Sequence, residues 1–370
     1  MISNNNKLFA SCLHLFKRSF HSNANVSNSK YAPVAVKRPT TDQLLKGLVN
    51  HDRAALARSI TLVESTNHGR RKEAKQLLTN VLAHNASSNL KTFRIGLTGP
   101  PGAGKSTFIE ALGKMLIEQN HKLAVLAVDP SSRTTGGSLL GDKTRMPELS
   151  ASPKAFVRPS PNSCTLGGVT RATNEAINLV ECCGYDIVFV ETVGVGQSEV
   201  SVSDMVDMFV LIIPPAGGDE LQGIKKGVIE FADVVVVNKS DGDLVAAARK
   251  ISAEYMSALK FVRPRAHCWR PAVKRISSKT GEGLEDLWKM MLDFRDKMTE
   301  SGEFRDRRTQ QKKVWMWTQV NANLLDLFYA QVGEKLARQM EQKVMQSQLT
   351  PGDAADELIE MYRNKPVDSH

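Results

Sequence analysis

The stretch Gly99-Pro100-Pro101-Gly102-Ala103-Gly104-Lys105-Ser106-Thr107 constrains the fold of this chain more than any other, because it fills every fixed position of the phosphate-cradling pattern Gly-x4-Gly-Lys-Ser/Thr. Such a loop works only between a buried strand and the first turn of a helix. The flanks supply both. Residues 93–98 read as a strand, and residues 108–119 as a helix with Ile109, Leu112, Met115 and Leu116 on one face. The glycines let the backbone wrap a polyphosphate, while the helix start offers free N–H groups and the positive end of its dipole. Lys105 is expected to reach the β and γ phosphates of a nucleoside triphosphate, with the Ser106 hydroxyl on Mg2+.

Length and charge bound the rest. At 370 residues and 41% hydrophobic content, the chain can bury one large core with helices appended to it. The net charge of +10 suggests nucleic acid, but its distribution argues against that partner. Residues 1–41 contain no Asp or Glu, while Lys7, Lys17, Arg18, Lys30, Lys37 and Arg38 account for six units of the net charge of +10. The same segment is rich in Ser and Asn and carries Leu8, Phe9, Cys12, Leu13, Leu15 and Phe16, which can line one face of a short basic helix. That is the composition of a mitochondrial transit peptide, assigned to residues 1–40. The five cysteines form no Cys-x-x-Cys pair, which fits a reducing compartment such as the mitochondrial matrix, and Cys182 and Cys183 read as buried thiols. No apolar run has the length of a membrane span.

Residues 41–90 read as a helical extension of two helices, with one apolar face at Leu44, Leu45, Leu48, Ala55, Ile60 and Val63 and a second at Ala74, Leu77, Leu78, Val81 and Leu82. Over 91–300 short Val-, Ile- and Leu-rich strands alternate with helices. The strands are expected at 93–98, 123–128, 155–157, 186–190, 208–213, 234–237 and 272–276. This is an α/β pattern with a mostly parallel central sheet flanked by helices, in which ligands bind at the carboxyl ends of the strands. Residues 301–370 turn helical again, with Val314, Trp317, Leu324, Phe328, Val332, Leu336, Met340 and Val344 in one stripe, a break at Pro351-Gly352, and one last short helix.

The suspect residues fall at strand ends. Asn238-Lys239-Ser240-Asp241 follows the apolar run 234–237, and a carboxylate there can accept both N1–H and N2–H of guanine, which adenine does not offer. Asn238 would tie loops together and the Lys239 stem would lie over the base. Ser277-Ser278-Lys279 follows the last strand and is similar to the loop with which GTPases close over the base. Glu191, with Gly194 three residues on, matches a γ-phosphate-sensing segment in which the carboxylate holds Mg2+ through water and the Gly194 N–H meets the γ-phosphate. Gln197 stands three residues beyond Gly194 instead of directly after it, so slow intrinsic hydrolysis is expected. Asp129 ends a strand and should point into the crevice toward Mg2+. Asp142 lies in a glycine-rich segment, where a solvated surface charge is an alternative reading of the residue alone, and 214–226 reads either as a third responsive loop or as a plain connection.

With these residues in place, the chain resembles the MeaB/ArgK family of P-loop GTPases. The resemblance covers roughly residues 41–345 and rests on 99–107, 128–132, Gly136-Gly-Ser-Leu-Leu-Gly-Asp-Lys-Thr-Arg-Met146, 191–199, 238–241, Gln310-Gln311 and Trp315-Met-Trp317. It implies a P-loop NTPase fold with a C-terminal homodimer arm, which suits the apolar stripe. It also implies GTP hydrolysis to GDP, and a chaperone role toward methylmalonyl-CoA mutase, whose adenosylcobalamin loading it would gate and which it would protect or reactivate. Lys105, Asp129, Asp142 and Glu191 are then the catalytic phosphate and Mg2+ cluster. Arg305, Arg307, Arg308, Lys312 and Lys313 are expected on a solvated or interface face. The alternative is a kinase or transport-associated ATPase of the ArgK type, which would gain nothing from Asp241. A metal-inserting GTPase would need a Cys or His cluster that the sequence does not present.

Overall fold

The computed structural model describes residues 38–65, 67–88, 92–128, 146–159, 166–192, 198–215 and 226–364. The apolar runs become seven strands: β1 (Phe93–Thr98), β2 (Leu123–Val128), β3 (Ala155–Arg158), β4 (Ile187–Thr192), β5 (Met208–Ile213), β6 (Val234–Val237) and β7 (Ala272–Arg275). They form one sheet in the order β3-β2-β4-β1-β5-β6-β7, parallel at every pairing. Every residue of β1, β2, β4, β5 and β6 is buried, as strands covered on both faces must be.

Side chains alternate between two cores. On one face Ala124, Leu126 and Val128 of β2 pack with three N-terminal helices, α1 (Thr41–Val49), α2 (Arg53–Val63) and α3 (His68–Ser87). On the other, Leu123 and Val125 pack with α4 (Lys105–Glu118) and the short α5 (Pro147–Ala151). Next in chain order come α6 (Leu166–Cys182), α7 (Ser198–Ser203), α8 (Lys226–Ile229), α9 (Val245–Leu259) and α10 (Leu284–Glu300). The N-terminal extension is three helices and not two. His51 takes a left-handed φ of 62°, Asp52 caps α2 by accepting the Ala54 N–H at 2.8 Å, and Asn67 caps α3 through the Arg70 N–H. These helices share the core of the sheet, although Leu82, assigned to the second apolar face, is 49% exposed. Cys182 and Cys183 are buried, and burial pushes their thiols up to about 11 and about 12.

The C-terminal region is α11 (Glu303–Val332), α12 (Glu334–Met345) and α13 (Pro351–Asn364). The expected stripe is interrupted at Gly333, which has φ 88° and ψ 137°. Downstream, Met340 is buried; upstream, Val314, Trp317 and Leu324 are 43%, 55% and 52% exposed. Pro351 begins the last helix instead of breaking the chain before it, since a first-turn proline lacks only an N–H that would have no helical partner.

Of the basic residues at the start of α11, Arg305, Lys312 and Lys313 are exposed, as a solvated face requires, whereas Arg307 and Arg308 turn inward. The Arg308 Nε and Nη2 donate to the two oxygens of Asp207 at 2.7 and 2.6 Å, and Arg307 pairs with Asp233 at 3.1 Å. Both carboxylates are almost completely buried, and each also accepts a strand N–H: Arg94 N–H on Asp207 and Phe209 N–H on Asp233, both at 2.8 Å. The Arg94 side chain pairs with Glu181 at 2.6 Å. Buried carboxylates at the feet of β5 and β6 need these cations, and the arginines of α11 supply them. Among the described residues no helix is long and apolar enough to cross a membrane.

Candidate functional site

The loop after β1 is shaped by contacts that only glycine permits. A Cβ on Gly99 would lie 2.0 Å from the Ile212 carbonyl oxygen, and one on Gly104, whose φ is 87°, would lie 2.6 Å from Asn238 Nδ2. Between them Pro100, Pro101, Gly102 and Ala103 make a turn closed by the Ala103 N–H on the Pro100 carbonyl at 3.2 Å. Helix α4 starts at Lys105, so Lys105, Ser106 and Thr107 form its first turn rather than a lead-in to it. The Lys105 ammonium is folded back over the loop, donating to the Gly99 carbonyl at 2.7 Å and the Pro100 carbonyl at 3.3 Å.

Strand β4 is longer than the sequence pattern indicates and carries Glu191 and Thr192 within it, beside β1. The Ser106 hydroxyl reaches Glu191 Oε1 at 3.2 Å, bringing together a hydroxyl from the first turn of α4 and a carboxylate from the end of β4. Thr192 Oγ1 donates to Thr98 Oγ1 at 2.9 Å, and both threonines are fully buried. No motif in the sequence marks this pair; its one signal is a hydroxyl in an apolar strand at the residue before Gly99 and at the residue after Glu191. The chain leaves β2 at Val128, in register with Thr192. Asp129, Asp142, Gly194 and Gln197 lie outside the described residues, as do residues 216–225.

The end of β6 is tied to the same loop. Asn238 Nδ2 donates to the Ala103 carbonyl at 3.0 Å and to the Gly104 carbonyl at 3.4 Å. Its Oδ1 accepts the Ser278 N–H at 3.1 Å and the Ser278 hydroxyl at 2.8 Å. One buried amide therefore joins the phosphate loop, the end of β6 and the loop after β7. The Ser277 hydroxyl donates to Asp241 Oδ1 at 2.7 Å, which fixes that carboxylate while its second oxygen keeps its acceptor capacity. Lys239 holds a left-handed φ of 58°, and its Cε would lie 3.8 Å from a Cβ placed on Gly104. A cleft of about 510 Å3 lined by Thr107, Glu110, Lys114, Ser278, Lys279 and Glu285 runs between the first turns of α4 and the 278–281 loop.

A strand, glycine loop and helix N-terminus strapped by an Asn-Lys-x-Asp strand end to a Ser-Ser-Lys loop define a P-loop GTPase. The comparisons with known proteins carry this to a family. The family model described as methylmalonyl Co-A mutase-associated GTPase MeaB matches residues 56–333, and the chain belongs to that family. It is 57% identical over 332 residues to the mouse methylmalonic aciduria type A homolog, mitochondrial, covering 88% of this chain and 80% of that one. The Caenorhabditis elegans protein of the same name is 48% identical, covering 88% and 83%. The GTPase ArgK of Escherichia coli is 41% identical, covering 90% of this chain and all of that one. Among solved structures, a LAO/AO transport system kinase superimposes with a TM-score of 0.68 at 35% identity, covering 88% of this chain and 98% of the other. The chain is a GTP-hydrolysing enzyme that binds guanine nucleotide.

Proposed function

We propose that this GTPase is a chaperone of the adenosylcobalamin-dependent methylmalonyl-CoA mutase, gating cofactor loading and protecting or reactivating the mutase. The family is described as mutase-associated, and the mouse and nematode relatives are named mitochondrial, which with the acid-free basic leader supports a place in the matrix. The exposed apolar residues of α11 support a homodimer arm.

The observation that carries the nucleotide reading is the Asn238 strap, which sets Asp241 and the phosphate loop in one frame. GTP would lie with its phosphates on the N–H groups from Gly102 to Thr107 and its base on the free oxygen of Asp241, under Lys239, Ser277, Ser278 and Lys279. Lys105 would exchange the Gly99 and Pro100 carbonyls for β and γ phosphate oxygens. Ser106 and Glu191, already 3.2 Å apart, are hard oxygen donors of the kind Mg2+ requires, and with Asp129 and Asp142 they would hold it. Held there, the ion would supply charge neutralisation to the triphosphate. Gly194 would report the γ-phosphate. Hydrolysis is slow without the partner because Gln197 is displaced from the position next to Gly194.

The deciding experiment is GTP turnover by the purified protein with and without purified mutase, beside Lys105→Ala. The expected results are turnover that changes on adding mutase, nucleotide-dependent association of the two, and turnover reduced at least about a hundredfold in the variant. Turnover indifferent to mutase with no association refutes the chaperone reading. Wild-type turnover in Lys105→Ala refutes the site. The solved relative described as a transport system kinase favours a kinase as the second reading, and competition that prefers ATP to GTP would support it.

A further inference from the structure

Away from the phosphate loop, α6 turns a polar row toward α11, which answers with both polar and apolar side chains, where packed helices normally bury apolar residues on both sides. Arg171, Asn174, Glu175 and Asn178 lie at i, i+3, i+4 and i+7 on α6, opposite Lys312, Trp315, Met316 and Gln319 at the same spacing on α11. A cavity of about 240 Å3 separates them, and none of its lining residues belongs to the phosphate or guanine loops.

Its walls are fixed. The Trp315 indole donates to the Asp204 carbonyl at 2.7 Å, the Asn178 amide donates to the Asn174 carbonyl at 3.0 Å, and the Asn178 carbonyl accepts from Asn85 at 3.0 Å. Two groups in that frame lack a hydrogen bond. Arg171 Nε is buried and makes none, with its nearest carboxylate, Glu175, 3.7 Å away. Asn174 is more than nine-tenths buried, and its Oδ1 has no partner. A buried donor or acceptor left unpaired is costly, so one of each, three residues apart on one helix, with a lysine at the rim, is half of a recognition site.

We propose that this cavity is a second ligand site, for a small organic acid that carries a hydroxyl or amide N–H close to its carboxylate. The carboxylate accepts from Arg171 and Lys312, the ligand's own donor satisfies Asn174 Oδ1, and its hydrocarbon lies against Trp315 and Met316. Burial pushes the carboxyl of Glu175 up to about 7 against the pull of Arg171, so it is a weak counter-ion for that guanidinium near neutral pH. A free small acid fits better than a partner's side chain because the two unpaired atoms are themselves buried between the helices.

The test is calorimetric titration of the full chain with 3-hydroxybutyrate, beside butyrate, which lacks the donor, and 1,3-butanediol, which lacks the carboxylate. The hydroxy acid is expected to bind at least about tenfold more tightly than butyrate and the diol not at all, each tenfold corresponding to one hydrogen-bonded group. Arg171→Gln should weaken the hydroxy acid by about tenfold or more while GTP affinity, measured on the same sample as the folding control, stays unchanged. Absence of heat from 3-hydroxybutyrate at about 10 mM overturns the proposal, as does equal binding of butyrate or affinity untouched by the arginine substitution. The wild-type comparison of the three probes decides the matter even if the variant fails to fold.

Discussion

Replacing Asn238 by alanine removes the side chain through which three loops are held in one frame. Its Nδ2 bond to Ala103 at 3.0 Å and its two Oδ1 bonds from Ser278, at 3.1 and 2.8 Å, are all lost, and the Ala103 carbonyl and Ser278 N–H are left in a buried place. At about 1 kcal/mol net for each, the nucleotide-free protein should lose about 3 kcal/mol of unfolding free energy, a factor of about a hundred in the equilibrium constant. Urea unfolding followed by tryptophan fluorescence reads this as a midpoint lowered by about 1 M, for a slope near 3 kcal/mol/M. Asn238→Asp is the control. It keeps the acceptor for Ser278 but sets a carboxylate against the Ala103 and Gly104 carbonyls, so it should be at least as damaging as alanine, and guanine-nucleotide affinity should fall in both. A shift under about 1 kcal/mol for alanine, or an Asp variant like wild type, would refute the strap.

Three further outcomes follow from the same geometry. Asp241→Asn should move base preference from guanine toward xanthine, whose C2 carbonyl accepts where guanine donates, and unchanged GTP affinity in competition binding would show the base to be read elsewhere. Arg308→Met strands the Asp207 carboxylate at the foot of β5 and should cost about 3–5 kcal/mol in urea unfolding, partly recovered by adding Asp207→Asn. Acid and alkali should act on different carboxylates. Burial tends to raise the Glu181 carboxyl, but Arg94, Arg308 and Thr92 more than offset that and hold it below 4.5; its contribution is full above that pH and is lost as the pH falls through the lowered value. For Glu175, raised to about 7, stability is fully present below 4.5 and lost as the pH rises through 7; Glu175→Gln should therefore gain stability over wild type at pH 8 and match it below pH 4.5.

The parts of this fold that were legible in the sequence are those where local chemistry leaves one choice. Gly99 and Gly104 announce a loop because no Cβ fits there, and four consecutive valines before Asn238 can only be a buried strand. The order of the strands and the polar rungs between them were not legible, because they join residues far apart in the chain. Thr98 with Thr192 and Ser277 with Asp241 are examples. Within the basic run at 305–313, the inward turn of Arg307 and Arg308 was not legible because their counter-charges are remote in sequence: Asp207 lies 101 residues from Arg308, and Asp233 lies 74 residues from Arg307. The turn at His51 was missed because a left-handed histidine carries no composition signal.

Arg307 and Arg308 grip the residues from which β5 and β6 spring, and β6 ends at Asn238. The first turns of α11 are thus welded to the strands that lead to Asn238 and its strap, and this root cannot pivot without prising charged pairs out of the interior. The helices beyond it hang from that anchored root through two joints, the glycine at residue 333 and the segment 346–350, so the charged pairs fix the arm at its base alone.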